Sequence, residues 1–190
     1  MRYGRTDPGN NKKESCGAIF YSFDDDQRIG IILGLEGNHW LPFKGCKEEN
    51  ETAEDAAMRE IREETCDLVK LNHIDLEHQF STRYKNYRIG LCQVPYNIVK
   101  LFDCVNKRYK DYEYKEKLKL KFFTLDEIFE DNQVHFLSRL SVRHYWTKLL
   151  SISKEFPLKV NYRRQSVCVD FAREYCNNHI KKFNEMCTIN

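Results

Sequence analysis

Two apolar runs stand near the start of the chain, at 16–23 and 28–35, with the acidic triplet Asp24-Asp25-Asp26 between them. Apolar runs of this length around a polar turn predict two strands joined as a hairpin. Glu36-Gly37-Asn38 closes the second strand, and residues 39–45 lead into a polar loop that ends at Glu51. A helix is predicted over 52–65, because Thr52 stands as N-cap with Asp55 three places on, while Ala53, Ala56, Ala57 and Ile61 recur at helical spacing. Further on, 77–82 and 87–96 read as strands around the polar turn Arg83-Tyr84-Lys85-Asn86, and 118–123 alternates as another strand. Helices are predicted at 125–130, at 136–153 and, beyond Pro157, at 166–186. This order implies an α/β fold, a mixed β-sheet sandwiched between helices with additional helices at the C-terminal end. The expected division is a flexible N-terminal segment over 1–13, one catalytic domain over 14–153 and a basic helical extension over 154–190.

Composition narrows the class without naming an activity. With 41% hydrophobic and 32% charged residues, 8 Gly and 4 Pro, the chain has the make-up of a globular protein. No run approaches the roughly 18 to 20 apolar residues of a membrane span, and the first fifteen residues lack the apolar stretch of a secretory signal. A cytoplasmic or nuclear location is therefore expected. The eight cysteines, at 16, 46, 66, 92, 104, 168, 176 and 187, show no CxxC pair, which suits reduced thiols. The net charge of +2 hides an asymmetry: residues 1–99 carry 13 Lys and Arg against 17 Asp and Glu, and residues 100–190 carry 18 against 12. An acidic half suits a metal ion, and a basic half suits a polyphosphate.

The chemistry concentrates between Gly45 and Asp67. On a helix, Glu60, Glu63 and Glu64 are spaced three and four residues apart, so their carboxylates share one face beside Arg59. Three like charges repel there unless a cation neutralises them, and carboxylate oxygens are the donors that Mg²⁺ or Mn²⁺ prefer. Taken alone, such a charged face reads as an ordinary solvated helix surface. The wider pattern changes that reading, because Gly45, Glu51, Arg59, Glu60, Ile61, Glu63 and Glu64 match G-x(5)-E-x(7)-R-E-U-x-E-E, where U is aliphatic.

This segment resembles the Nudix box, and Trp40-Leu41-Pro42-Phe43-Lys44-Gly45 resembles the W-x-x-P-K-G sequence that leads into it, with the proline one place early. Cys66 and Asp67 depart from the family pattern, which has glycine and an aliphatic residue there. Glycine at that place supplies a left-handed helix cap, so Cys66 implies either a different helix end or strain. The resemblance implies a Nudix-like fold and a pyrophosphohydrolase. It implies Mg²⁺ or Mn²⁺ held by Glu60, Glu63 and Glu64, with Arg59 bracing the carboxylates and Lys44 near the phosphates. For the general base, Glu64 is the first choice and Glu116 the alternative. The six histidines form no ligand-spaced pair, and no cysteine has a nucleophile motif around it.

The box does not specify what the pyrophosphate is attached to. Residues 133–190 hold ten Lys and Arg, Arg163 and Arg164 among them, against four acids. Base stacking is expected at tyrosines in or near loops, Tyr84, Tyr87, Tyr109, Tyr112 and Tyr114. Trp40, Lys44, Tyr84, Arg163 and Arg164 are accordingly the expected substrate contacts. These features favour a large polyanion, and a weaker resemblance to the mRNA-decapping branch, including versions from large DNA viruses, makes capped RNA the expected substrate. Diphosphoinositol polyphosphates and dinucleoside polyphosphates are the alternatives. A non-catalytic Nudix-fold module binding nucleotide or RNA is the reading from another class.

Overall fold

The computed structural model of the protein describes residues 12–108 and 116–155. Its element order is β1 (Lys13–Phe23), β2 (Ile29–Glu36), β3 (His39–Leu41), β4 (Phe43–Cys46), α1 (Ala53–Glu64), β5 (His78–Ser81), β6 (Lys85–Gln93), α2 (Ile98–Arg108), β7 (Leu120–Thr124), α3 (Glu127–Glu130) and α4 (Phe136–Glu155). The strands form one mixed sheet in the order β3-β2-β1-β6-β5, with β4 added to β1 and β7 to β2. The β1–β6 pair is parallel and the other named pairs are antiparallel.

The near-continuous apolar run of β1 is explained by burial on both of its faces. Cys16, Ala18 and Phe20 point into one core cluster with Ala56, Ala57 and Ile61 of α1 and Ile98, Phe102 and Val105 of α2. Ile19 points the other way, into a cluster with Ile128 of α3 and Val142, Tyr145 and Leu149 of α4. Helices therefore cover both faces of the sheet, as the sequence implies. The hydroxyl of Tyr145 fixes α4, donating to the Ile89 carbonyl at 2.6 Å and accepting the His78 N–H at 3.2 Å.

Three elements differ from the sequence expectation. Residues 39–46 are two short strands, because β3 pairs with β2 and β4 pairs with β1. Helix α2 occupies a stretch where none is expected, although Ile98, Phe102 and Val105 recur at four and three residues and are its buried positions. The expected alternation of 118–123 is inverted at its start: Leu118 is 53% exposed while Lys117 is 2% exposed. The helix expected at 166–186 and the extension over 154–190 lie almost wholly outside the described residues.

Helix α1 is capped at its start as the sequence indicates, with the Thr52 hydroxyl oxygen accepting the Asp55 N–H at 3.1 Å. At its end the Asp67 N–H donates to the Arg62 carbonyl at 2.8 Å and the Cys66 N–H to the Glu63 carbonyl at 3.1 Å. These two bonds form a Schellman motif, which requires a left-handed residue just past the cap. Cys66 takes that conformation at φ 53°, and Asp67 follows at φ 62°. The helix thus keeps the glycine-type ending with a cysteine in it, and the strain is partly offset by packing of the Cys66 side chain against the α1-side core. Replacing Cys66 with Gly is expected to stabilise the protein by about 0.5–1 kcal/mol. A lower midpoint in urea denaturation would instead show that thiol packing outweighs the strain.

Candidate active site

Helix α1 turns Glu60 and Glu64 toward the sheet, where they are 8% and 5% exposed, on the same side as Ala57 and Ile61. The expected single glutamate face is therefore divided, because Glu63 lies outward with its side chain 56% exposed. Strand β4 closes over the inward pair. The Lys44 backbone N–H donates to Glu64 Oε2 at 2.8 Å. A Cβ on Gly45 would stand 1.9 Å from the Glu60 carboxylate, so glycine is the residue that lets strand and carboxylate meet.

Arg59 binds the outer edge of this cluster. Its guanidinium donates to both oxygens of Glu51, at 2.6 and 3.0 Å, to Glu60 Oε1 at 2.8 Å, to Glu63 Oε2 at 3.2 Å and to the Cys46 carbonyl at 3.0 Å. A planar five-donor fork is suited to hold several acceptors at once. The Arg59 hydrogen bonds, joined by the Glu48 backbone N–H, hold the Glu51 carboxyl down at about 2. Burial raises the pKa of Glu60 against the opposing pull of Arg59.

The Glu64 side reaches two residues that the sequence analysis passed over. Lys117, its side chain fully buried, lies 3.2 Å from Glu64 Oε1 and 2.6 Å from Glu36 Oε2. The contact with Glu64 is the longer of the two, and the Lys117 ammonium is the one partner of the buried Glu64 Oε1 among the described residues. Burial raises the Glu64 pKa, opposed by the charges of Lys117 and Lys44. Burial also acts upward on Glu36, but the hydrogen bond and charge of Lys117 bring its pKa below the ordinary value. Among the described residues, oxygens of Glu36, Glu64 and Glu116 come within 4.8 Å of one another. A cluster of hard carboxylate oxygens of this kind suits Mg²⁺ or Mn²⁺.

The other expected site residues are more dispersed. Trp40 is 6% exposed and packs edge-on against Phe123 at 5.4 Å, so its indole is part of the core. Tyr84 is 75% exposed at the turn between β5 and β6, with the Arg83 guanidinium 5.6 Å from its ring centre. Arg163, Arg164, Tyr109, Tyr112 and Tyr114 lie outside the described residues. Folding also joins histidines that are far apart in sequence: His39 meets His135 at 5.7 Å, and His78 stacks on His144 at 4.2 Å. Cysteines 16, 46, 66, 92 and 104 are not disulfide-bonded, and burial pushes the Cys16 thiol up to about 11, away from the thiolate a nucleophile needs.

Ionised Glu51 stabilises the fold through Arg59, and that contribution is lost as pH falls from its ordinary value of 4.5 through about 2. Glu51→Gln is therefore expected to lower the melting temperature at pH 7, with the gap to the parent narrowing below pH 4.5. Melting curves between pH 7 and pH 2.5 check this. A gap that is absent at neutral pH, or constant throughout, contradicts it.

The NUDIX domain family matches residues 17–143. Among solved structures, a mutT/nudix family protein from Listeria innocua shares 18% identity with a TM-score of 0.54, over 77% of this chain and 98% of that one. The NUDIX domain of Shewanella oneidensis NrtR, complexed with ADP ribose, shares 14% with a TM-score of 0.55, over 74% and 90%. A Caenorhabditis elegans Ap4A hydrolase, in a binary complex, shares 16% with a TM-score of 0.51, over 73% and 98%. No curated protein matches the chain. The mixed α/β architecture agrees with these neighbours, and the expected pyrophosphohydrolase class agrees with the family match. With the match covering two thirds of its length, the chain belongs to the NUDIX domain family.

Proposed function

We propose that the protein is a divalent-metal-dependent pyrophosphohydrolase acting on a nucleoside diphosphate-linked substrate, with capped RNA as the favoured one. The observation that carries this reading is the inward pair Glu60 and Glu64, held beneath Lys44 and Gly45 with one Glu64 oxygen met only by the Lys117 ammonium. Buried carboxylates without full neutralisation are costly, and a site that keeps them has a use for their charge. Glu60, Glu63 and Glu64 would hold Mg²⁺ or Mn²⁺, which when bound supplies charge neutralisation at the pyrophosphate and a more acidic water.

The remaining work falls to the chain itself. Arg59 fixes Glu51, Glu60 and Glu63 in relation to one another through charged hydrogen bonds. Lys44 presents its side chain from the strand whose backbone orients Glu64 and meets the phosphates. Glu64, oriented by the Lys44 amide, takes the proton of the attacking water. Glu116, exposed and close to Glu64, is the alternative base.

Nucleoside diphosphate linkage is supported by the neighbours, one named for Ap4A hydrolysis and one for bound ADP ribose. Capped RNA rests on the basic C-terminal part of the chain, including Arg163 and Arg164, and on exposed Tyr84 for stacking. A cytoplasmic or nuclear location belongs to the same reading. No helix among the described residues is long and apolar enough to cross a membrane.

Cap-labelled RNA should release its labelled cap product in Mg²⁺ or Mn²⁺, faster than dinucleoside or diphosphoinositol polyphosphates are cut. Glu64→Gln should lower turnover about a hundredfold or more. Faster cleavage of a small polyphosphate would replace the RNA assignment. Near-parental rates in both Glu63→Gln and Glu64→Gln would overturn the hydrolase reading.

A further inference from the structure

Hydropathy places Lys117 in solvent and Leu118 in the core, yet the protein does the reverse. The inversion is built by the sheet. Strand β7 pairs with β2 from Gly30↔Thr124 to Gly34↔Leu120, and the pairing runs on through Leu35 N–H to the Lys119 carbonyl and Leu118 N–H to the Leu35 carbonyl, each at 2.8 Å. That extension carries residue 117 over Gly34. A Cβ on Gly34 would lie 2.6 and 2.9 Å from Lys117 Cδ and Cγ, so the stem occupies the space a side chain would fill. The clamped stem leaves only the ammonium end free to turn, between Glu36 Oε2 and Glu64 Oε1.

Glu64 already faces a cation. Its Oε2 is engaged by the Lys44 amide at 2.8 Å, and Oε1 is the oxygen that the Lys117 ammonium faces at 3.2 Å. Two cations on one buried oxygen repel strongly, so a divalent ion at Oε1 competes with the ammonium there. Glu36 offers the retreat, because its bond to Lys117 at 2.6 Å is shorter than the Glu64 contact and its side chain is 38% exposed. Glu116 adds a further carboxylate within the same group.

We propose that Lys117 is an internal counter-ion that stands in for the divalent cation at Glu64 in the metal-free protein, and that it withdraws toward Glu36 when the cation binds. This rests on the reading of Glu64 as a metal-binding carboxylate. Lys117 is thus a positioning residue: it keeps Glu36 and Glu64 together without metal, and it sets the affinity that an entering ion must exceed. Stability of the metal-free state and affinity for the metal are opposed through one side chain.

Lys117→Met keeps the stem over Gly34 and removes the charge. In EDTA this variant should melt below the parent, since Glu36 and Glu64 lose their shared partner. By calorimetry it should bind Mn²⁺ without substrate roughly tenfold tighter than the parent, the competing charge being gone. In parent protein labelled at lysine side-chain nitrogen, the Lys117 Nζ resonance should shift on saturation with Mg²⁺, which also decides the matter if the variant does not fold. Equal Mn²⁺ affinity in parent and variant, or a Lys117 resonance unmoved by saturating Mg²⁺, overturns the inference while leaving the metal site standing. Absence of Mn²⁺ binding to either protein overturns the metal-site reading and this inference with it.

Discussion

Two carboxylates of α1 are turned into the protein, and most of what surrounds them answers that one constraint. A carboxylate withdrawn from water needs hydrogen bonds or opposite charge, or it is driven to the neutral form. Glu60 receives Arg59, and Glu64 receives the Lys44 amide and the charge of Lys117. Each partner comes from a different part of the chain. The helix supplies Arg59, the strand after the β2–β3 hairpin supplies Lys44, and the segment leading into β7 supplies Lys117. The sheet is what brings them within reach.

The geometry also sets tight local demands. Strand β4 approaches α1 so closely that the carboxylate of Glu60 occupies the volume beside Gly45 where a Cβ would stand. The end of α1 is held by two backbone bonds that force Cys66 into a left-handed conformation usually left to glycine. Both features lie within Gly45–Asp67, one near each end. The helix is pinned at its N-terminal turn by Thr52 and at its C-terminal turn by the Schellman bonds, so the glutamates between them have a fixed azimuth toward the sheet.

Periodicity was informative where local pattern and tertiary environment agree. The run 16–23, the Thr52 cap and the glutamate spacing could all be read from neighbouring residues, because strand alternation and helix capping act over a few positions. Lys117 could not be read this way. Its burial comes from the register of β7 on β2, and a lysine within a lysine-rich stretch carries no local mark of it. Glu36 was hidden for the same reason, lying far from Lys117 in sequence. Helix α2 did carry a local signal, Ile98, Phe102 and Val105, but a short apolar stripe between polar segments is easily read as loop. Trp40 shows the converse: it stands in a motif that suggests substrate contact, while its ring packs within the sheet and α4 cluster.

Everything proposed for the inward carboxylates requires that they form a cation site. Crystals soaked in Mn²⁺ and measured near the manganese absorption edge test this directly, since the anomalous signal locates the ion without reference to activity. An anomalous peak shared by the Glu60 and Glu64 carboxylates is the predicted result. At saturating Mn²⁺, no peak beside Glu64, or a peak confined to surface carboxylates away from α1, would contradict it.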